Sequence, residues 1–458
     1  MTSPGSIAEA TASTDGRTFR IDAVDATDAY RPGDFVSLTE ADGVGLGLVE
    51  AAEVDGGGRL IASGRIYGAP ASRAPGPGPA AVAPAEPALV ESLLARSGAV
   101  LEVGRLASMP GVGAGLLPHR FNRHTFWCGQ SGSGKTYALG VLLEELLMHT
   151  ELPLIIFDPN ADFVHLDQVD PGASGDRVDR LRGRDIRILR AAGQPGDDLL
   201  VRFTAMSVTA KAALLRLDPL IDRVEYNTLL HLEDMLAAQE PGQILPELRQ
   251  SGDPEVRSFA LRIENLGLLS WDMWAAGGRA ATEIIDTRPA ATVLDLGGFA
   301  TAEQPLVVAL AVLDELWARR SERRPVLIVI DEAHNLCSPE AETPLQRMVL
   351  ERIIQIAAEG RKYGLWLLLS TQRPSKVHAG IISQCDNLAL MRMSSERDLD
   401  ELAATLSFAP PALLAASPSF RQGEALFAGG FAPAPSTVVM RSRLTAEGGR
   451  DVAVPLLG

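Results

Sequence analysis

Cysteine is nearly absent. Only Cys128, Cys337 and Cys385 occur among 458 residues, too widely separated for zinc-ligand spacing and too few for a disulfide framework. The seven histidines do not cluster; His334 follows a carboxylate pair but has no second ligand at metal spacing, so it reads as a packing or supporting residue. Lysine is scarce as well, at Lys135, Lys211, Lys362 and Lys376 alone. Arginine supplies the remaining basic charge, a skew that compositional bias explains better than function. With 58 acidic against 42 basic residues the formal charge is −16. That excludes a surface coated in nucleic acid, although a locally basic channel can sit inside an acidic protein. No apolar run approaches the ~18–20 residues of a membrane span. The first sixteen residues are small and polar, without a charged-then-apolar signal region. The expectation is a soluble cytoplasmic protein with no membrane partner.

What is present is a globular composition: 46% hydrophobic residues, mean hydropathy +0.09, and length enough for two or three domains with a sizeable core. One stretch organises the rest. Gly129-Gln130-Ser131-Gly132-Ser133-Gly134-Lys135-Thr136 fits G-x-x-x-x-G-K-[ST]. Thr125-Phe126-Trp127-Cys128 before it suits a buried strand, and Leu139, Leu142, Leu143, Leu146 and Leu147 after it recur at helical spacing. A strand, a glycine turn and a helix N-terminus aim backbone N–H groups and the positive end of a helix dipole at one point. Glycines let that backbone curl around a phosphate. Lys135 then reaches the β- and γ-phosphates of ATP and Thr136 offers its hydroxyl to Mg²⁺. An ordinary glycine turn would not need these flanks.

The remainder falls into three parts. Residues 1–67 read as a small N-terminal β-barrel, from alternating segments at 18–22, 34–38, 45–54 and 59–67 separated by turn signals. Residues 68–117 read as a Pro/Ala/Gly-rich linker, 68–87, and a lead-in. Residues 118–458 form the catalytic domain. Apolar runs at 154–157, 186–189, 292–296, 326–330, 365–369 and 387–391 alternate with helical stretches, which predicts an α/β fold with a mostly parallel sheet covered on both faces. Residues 197–285 carry helical patterns at 208–217, 223–238 and 255–268, a helical insertion. Two β-like pieces at 425–428 and 436–441 open a C-terminal β-tail over 424–458, which ends in an apolar run at 452–457.

The strand Val326–Ile330 ends in Asp331-Glu332. Asp331 can hold Mg²⁺ through water, and Glu332, one residue further out, can orient or deprotonate an attacking water; acids also end strands as helix N-caps. After the run at 365–369 comes Ser370-Thr371-Gln372-Arg373-Pro374. Gln372 is the candidate γ-phosphate sensor, unless it is a solvated loop residue. Glu359-Gly360-Arg361-Lys362-Tyr363-Gly364 precedes that same run. A five-residue strand spans ~16 Å, so Arg361 sits at the far end from Gln372 and suits a neighbouring subunit's phosphates, as an arginine finger in trans. The alternative is a helix-terminal arginine on the dipole, and Arg373 is the rival finger within its own subunit. Asp158, in Asp158-Pro159-Asn160-Ala161-Asp162, either touches water around Mg²⁺ or caps the next helix. Lys376 and His378, with Arg373, either form a loop tracking DNA phosphates or are simply solvated.

Gly129 to Thr136, Asp158 to Phe163, Asp331-Glu332-Ala333-His334, Glu359 to Gly364 and Thr371 to Ser375 resemble, in order and spacing, the HerA-type ATPases of the HerA/FtsK superfamily. The likeness runs from about residue 118 to the C-terminus, and the segment before it resembles the small barrel these proteins share with rotary ATP synthases. The resemblance implies a RecA-like P-loop NTPase core binding ATP and Mg²⁺ through Lys135 and Thr136. It implies Asp331 and Glu332 as hydrolytic acids, Gln372 as sensor and Arg361 as trans finger. It further implies a homo-oligomer, a hexameric ring driving double-stranded DNA through its pore, often with a nuclease or other effector. Ala161-Asp162 stand where the family usually has Gly then Glu, and this chain shows no nuclease motif. A conjugation- or secretion-type motor, or a nucleotide-gated scaffold for an effector, are the competing readings.

Overall fold

The computed structural model describes residues 8–12, 17–25, 30–40, 43–54, 56, 59–68, 79–239 and 241–449. The Pro/Gly-rich core of the expected linker, 69–78, and the apolar tail 452–457 lie outside them. The chain divides into two compact units. One comprises residues 1–150, 371–375 and 385–444, the other 151–370, 376–384 and 445–458.

The first unit opens with a closed antiparallel barrel. Its strands are, in spatial order, Ala8–Ala12, Thr18–Asp25, Arg59–Gly68, Gly43–Val54, Phe35–Glu40 and Pro79–Pro84, and the last pairs back onto the first. Phe19, Ile21, Val36, Leu38, Val49 and Val82 fill it. Gly64 is required there, since a Cβ would lie 1.9 Å from the Leu48 carbonyl oxygen. The barrel therefore extends to residue 84 and not 67, and its closing strand comes from the stretch expected to be linker. Alanine and proline have poor strand propensity, but Pro79 and Pro84 sit at the strand ends, where a missing N–H is tolerated.

A helix, Pro87–Ser97, starts on proline and ends at Gly98 with φ +79°. The second sheet of this unit sets His124–Cys128 parallel to Cys385–Met391. Glu424–Gly429, Ser436–Met440, Leu101–Leu106 and Gly113–Leu116 follow, each antiparallel to the last. The expected lead-in thus contributes two strands to the same sheet as the expected β-tail.

The other unit holds a parallel sheet in the order Asp197–Asp198, Ile186–Arg190, Ala291–Asp295, Leu154–Asp158, Val326–Ile330, Leu365–Thr371. Every residue of its three middle strands is buried, so both faces are covered. The helical insertion comprises Val208–Leu214, Arg223–His231, Glu233–Ala238, Pro241–Gln250 and Pro254–Leu266. Pro241–Gln250 was not among the expected helices; it forms although Pro246 lies inside it, where proline removes a backbone donor.

Lys211 lies in the core of this insertion, 2% exposed, with Nζ 5.3 Å from the Phe203 ring centre. Burial holds its pKa below the ordinary lysine value, against an upward pull from Glu233. A depressed lysine pKa favours the fold fully only above ~10.4, and that contribution is lost as pH falls through the lowered value. Lys211→Met should therefore raise thermal stability at pH 7 by about 1–3 kcal/mol. It should also flatten the rise in Tm as pH climbs toward ~10.4, read by differential scanning calorimetry.

Candidate functional site

Gly129 to Thr136 links the fully buried strand His124–Cys128 to the helix Lys135–His149. Two of its glycines, Gly132 at φ +73° and Gly134 at φ +88°, hold left-handed conformations that a side chain would strain. Gly129 is needed for space: a Cβ there would sit 2.7 Å from Met391 Cβ. No side chain caps the helix start, and a helix N-terminus directs its first N–H groups toward an anion. Such a cradle fits a phosphate group. Lys135 opens the helix with 5% exposure.

The loop is held by residues distant in sequence. Gln130 N–H donates to Arg392 O at 2.9 Å and Gly423 N–H to Ser133 O at 3.0 Å. Ser394 N–H donates to Gln130 Oε1 at 3.0 Å, and Arg392 Nη2 to Gly132 O at 3.2 Å. Gly129 N–H reaches Thr371 O at 3.3 Å. The helix behind the loop is anchored through Glu144 and Glu145, both fully buried, which pair with Arg441 at 2.9 and 2.7 Å. Sequence reasoning missed Arg392, Gly423 and Arg441, since no local pattern marks a residue that acts from 250 or more positions away.

In the other unit, Asp331 and Glu332 end the strand Val326–Ile330, 2% and 5% exposed. Asp331 Oδ1 accepts a 2.6 Å hydrogen bond from Ser370 Oγ, which fixes the carboxylate's rotamer. Carboxylate oxygen is the ligand type Mg²⁺ takes. Glu332 has φ +44°, a left-handed conformation costing a non-glycine residue on the order of 1–3 kcal/mol. Its Oε2 lies 3.2 Å from His334 Nδ1, within ion-pair reach when that imidazole is protonated.

Asp158 is fully buried. Its Oδ1 accepts from Asp162 N–H at 3.0 Å and its Oδ2 from Phe163 N–H at 2.8 Å. Burial pushes its pKa up to about 7, opposed by those two N–H groups and reinforced by the charges of Asp331 and Asp162. Both of its oxygens thus accept hydrogen bonds that close the 158–163 turn, and the next helix begins only at Asp176. Asp295, at the end of the neighbouring strand, is 1% exposed and accepts from Arg190 Nε at 2.9 Å. Sequence reasoning had not singled it out, although an acid closing an apolar run was the available signal.

Gln372 follows directly on Leu365–Thr371 and is partly exposed. Arg373 is exposed, and its N–H donates to Thr371 Oγ1 at 3.0 Å. Ser375 N–H donates to Asp398 Oδ1 at 3.3 Å. Arg361 lies in the turn Gly360–Tyr363 before that strand. The parallel register Val326↔Leu365 and Ile330↔Leu369 places it at the strand end opposite Asp331 and Glu332. Lys376 Nζ is 2.9 Å from both carboxylate oxygens of Glu340. His378 caps the short helix Ala379–Ile382, its Nδ1 accepting from Gly380 N–H at 3.1 Å. Both candidates for DNA contact therefore engage their own chain. No helix among the described residues is long and apolar enough to cross a membrane.

Residues 101–236 match the family model for the helicase HerA, central domain. The DNA double-strand break repair helicase HerA of Pyrococcus furiosus is 23% identical over 356 residues, covering 66% of this chain and 62% of that protein. Its counterpart in Sulfurisphaera tokodaii is 31% identical over 114 residues, 25% of this chain and 22% of the relative. A probable helicase of Methanocaldococcus jannaschii is 28% identical over 141 residues, 31% and 26% of the two chains. The matched stretches span from about a quarter to about three fifths of these relatives' lengths. Among solved structures, VirB4 of Thermoanaerobacter pseudethanolicus aligns with a TM-score of 0.48 at 17% identity, over 75% of this chain and 97% of that one. With the family model falling on the phosphate loop and the HerA relatives extending the match, the chain is similar to the HerA-type ATPases of the HerA/FtsK superfamily.

Proposed function

We propose that this protein hydrolyses ATP with Mg²⁺ and uses the energy to move duplex DNA through a homo-oligomeric, hexameric ring in the cytoplasm, working with a separately encoded nuclease or other effector. The observation that carries the reading is the phosphate loop itself. Three glycines, two of them left-handed, precede an uncapped helix that begins with a buried lysine. In this reading Gly129, Gln130, Ser131, Gly132, Ser133 and Gly134 wrap the phosphates, and Lys135 neutralises their charge. Thr136 and Asp331 are the metal-holding residues, and the ion supplies charge neutralisation on the phosphates. Glu332 orients and deprotonates the attacking water. Gln372 senses the γ-phosphate, and Arg361 of one copy completes the site of the next. The names of the curated relatives, helicases of double-strand break repair, support DNA as the track. Lys376 and His378 remain the proposed DNA contacts, with electrostatic and sequence-indifferent binding.

Duplex DNA should stimulate ATP turnover at least about tenfold, more with longer duplexes and less with rising salt, because phosphate contacts release counterions. Phosphate release measured against duplexes of graded length is the test. Turnover indifferent to both length and salt would overturn the translocase reading in favour of a nucleotide-gated scaffold.

A further inference from the structure

Two side chains beside the phosphate loop have no role in phosphate binding. Arg392 follows directly on the strand Cys385–Met391, and Gln422 lies just before the strand Glu424–Gly429. Those strands are antiparallel with Met391 opposite Ala425, so both residues emerge side by side at the same end of the sheet. Each touches the loop. Arg392 Nη2 donates to Gly132 O at 3.2 Å, and a Cβ on Gly134 would lie 3.7 Å from Gln422 Cγ.

The fold does not consume either polar group. Among the described residues no carboxylate pairs with Arg392, and its Nε is buried without an acceptor. Glu424, the acid across the strand pair, accepts instead from Arg421 N–H at 2.8 Å. The Gln422 side chain is exposed and makes no hydrogen bond among the described residues, yet its backbone is fixed. Gly423, left-handed at φ +80°, donates to Ser133 O at 3.0 Å and accepts from Met440 N–H at 2.9 Å, and Glu424 N–H closes the turn on Arg421 O at 3.1 Å. A guanidinium with one edge on a carbonyl still offers its flat face, which stacks on aromatic rings. A primary amide sets a donor beside an acceptor, the pattern that matches N6–H and N7 of adenine, whereas guanine presents two acceptors there.

Their position along the loop fits the same ligand. Thr371 O takes Gly129 N–H at 3.3 Å, which sets Gln372 at the loop's entry. Gln422 stands at its exit, beside Gly134 and the start of the helix Lys135–His149. A triphosphate laid along the loop with its terminal phosphate toward Gln372 turns its nucleoside toward Gln422. We infer that Arg392 and Gln422 form the nucleobase seat of this site and make the protein select adenine over guanine nucleotides. The Arg392 guanidinium stacks on the base, and the Gln422 amide reads its N6 and N7 edge. The seat rests on the phosphate-loop reading proposed above and names the nucleoside that the loop accepts.

The test uses the full chain and steady-state turnover, with inorganic tripolyphosphate as a competitor that has phosphates but no base. Wild type should prefer ATP to GTP by at least about tenfold in kcat/KM, the discrimination a bidentate base contact provides. Gln422→Ala should bring that ratio to within about twofold, and Gln422→Arg should turn it toward GTP, because arginine pairs with O6 and N7 of guanine. Arg392→Lys keeps the charge and a donor for Gly132 but loses the flat face, so KM for ATP should rise about fivefold or more. In all three variants the inhibition constant of tripolyphosphate should stay within about twofold of wild type, since the loop's own N–H groups hold it. The Gln422 variants should melt within about 2 °C of wild type, because the position is exposed. A wild type that uses ATP and GTP alike, a Gln422→Ala ratio equal to that of wild type, or tripolyphosphate inhibition that weakens in step with ATP in Arg392→Lys would each overturn the seat. A wild type that binds neither ATP nor tripolyphosphate would refute the phosphate-loop reading itself, and the seat with it.

Discussion

Lys135→Ala should weaken ATP binding by at least about 100-fold, some 2.7 kcal/mol, and remove detectable turnover. Lys135 is the first residue of the helix Lys135–His149 and is 5% exposed, so its backbone stands at the helix start, where N–H groups hold an anion. A charged hydrogen bond in such a place is worth roughly 1.5–3 kcal/mol, more than an exposed ion pair provides. Alanine is the best helix former, and the loop's hydrogen bonds to Arg392, Ser394 and Gly423 are to Gln130, Gly132 and Ser133. The fold should therefore survive the substitution. Titration with a fluorescent ATP analogue reads the effect directly. An affinity within about threefold of wild type, roughly 0.65 kcal/mol, would remove the phosphate-binding role from this loop.

Glu332→Gln should behave in the opposite way, leaving ATP affinity intact while turnover falls by about 10²–10⁴-fold, the range expected for loss of a general base. Glutamine keeps the shape of the side chain and can follow the same left-handed backbone at φ +44°, but it cannot accept the proton. Single-turnover phosphate release separates the two steps. Binding and turnover falling together would assign Glu332 to structure and not to chemistry. The same protein tests the finger. Arg361→Ala should also lose turnover on its own, yet mixing it with Glu332→Gln subunits should restore part of it, since each copy supplies what the other lacks. No recovery in the mixture would transfer the finger role to Arg373.

The two acids illustrate how far local pattern carries. Asp331 and Glu332 were legible because a five-residue apolar strand has to end, and the residues just past its end are positioned by the strand itself. Their supports were not. Ser370, which donates to Asp331, lies on the adjacent parallel strand, 39 positions away, and adjacency between parallel strands depends on crossover connections. Asp158 shows the converse. Its place after an apolar run was visible, but its use depended on where the N–H groups of Asp162 and Phe163 point, a matter of backbone dihedrals and not of composition.

What the amino-acid order determined by itself was everything resting on short-range periodicity and chain direction. That comprises the strand–loop–helix of Gly129 to Thr136, the buried parallel strands, and the placing of Arg361 and Gln372 at opposite ends of one strand. The tertiary structure alone decided which distant segments complete those elements. Pro79–Pro84 closes the barrel by pairing with Ala8–Ala12 and Phe35–Glu40, although nothing in its alanines and prolines favours a strand. Arg392 and Gly423 hold the phosphate loop from more than 250 positions away. The physical reason is that backbone hydrogen bonds and apolar burial are satisfied by proximity in space. A residue's own propensity amounts to less than about 1 kcal/mol, which a completed barrel or a fully paired loop readily exceeds.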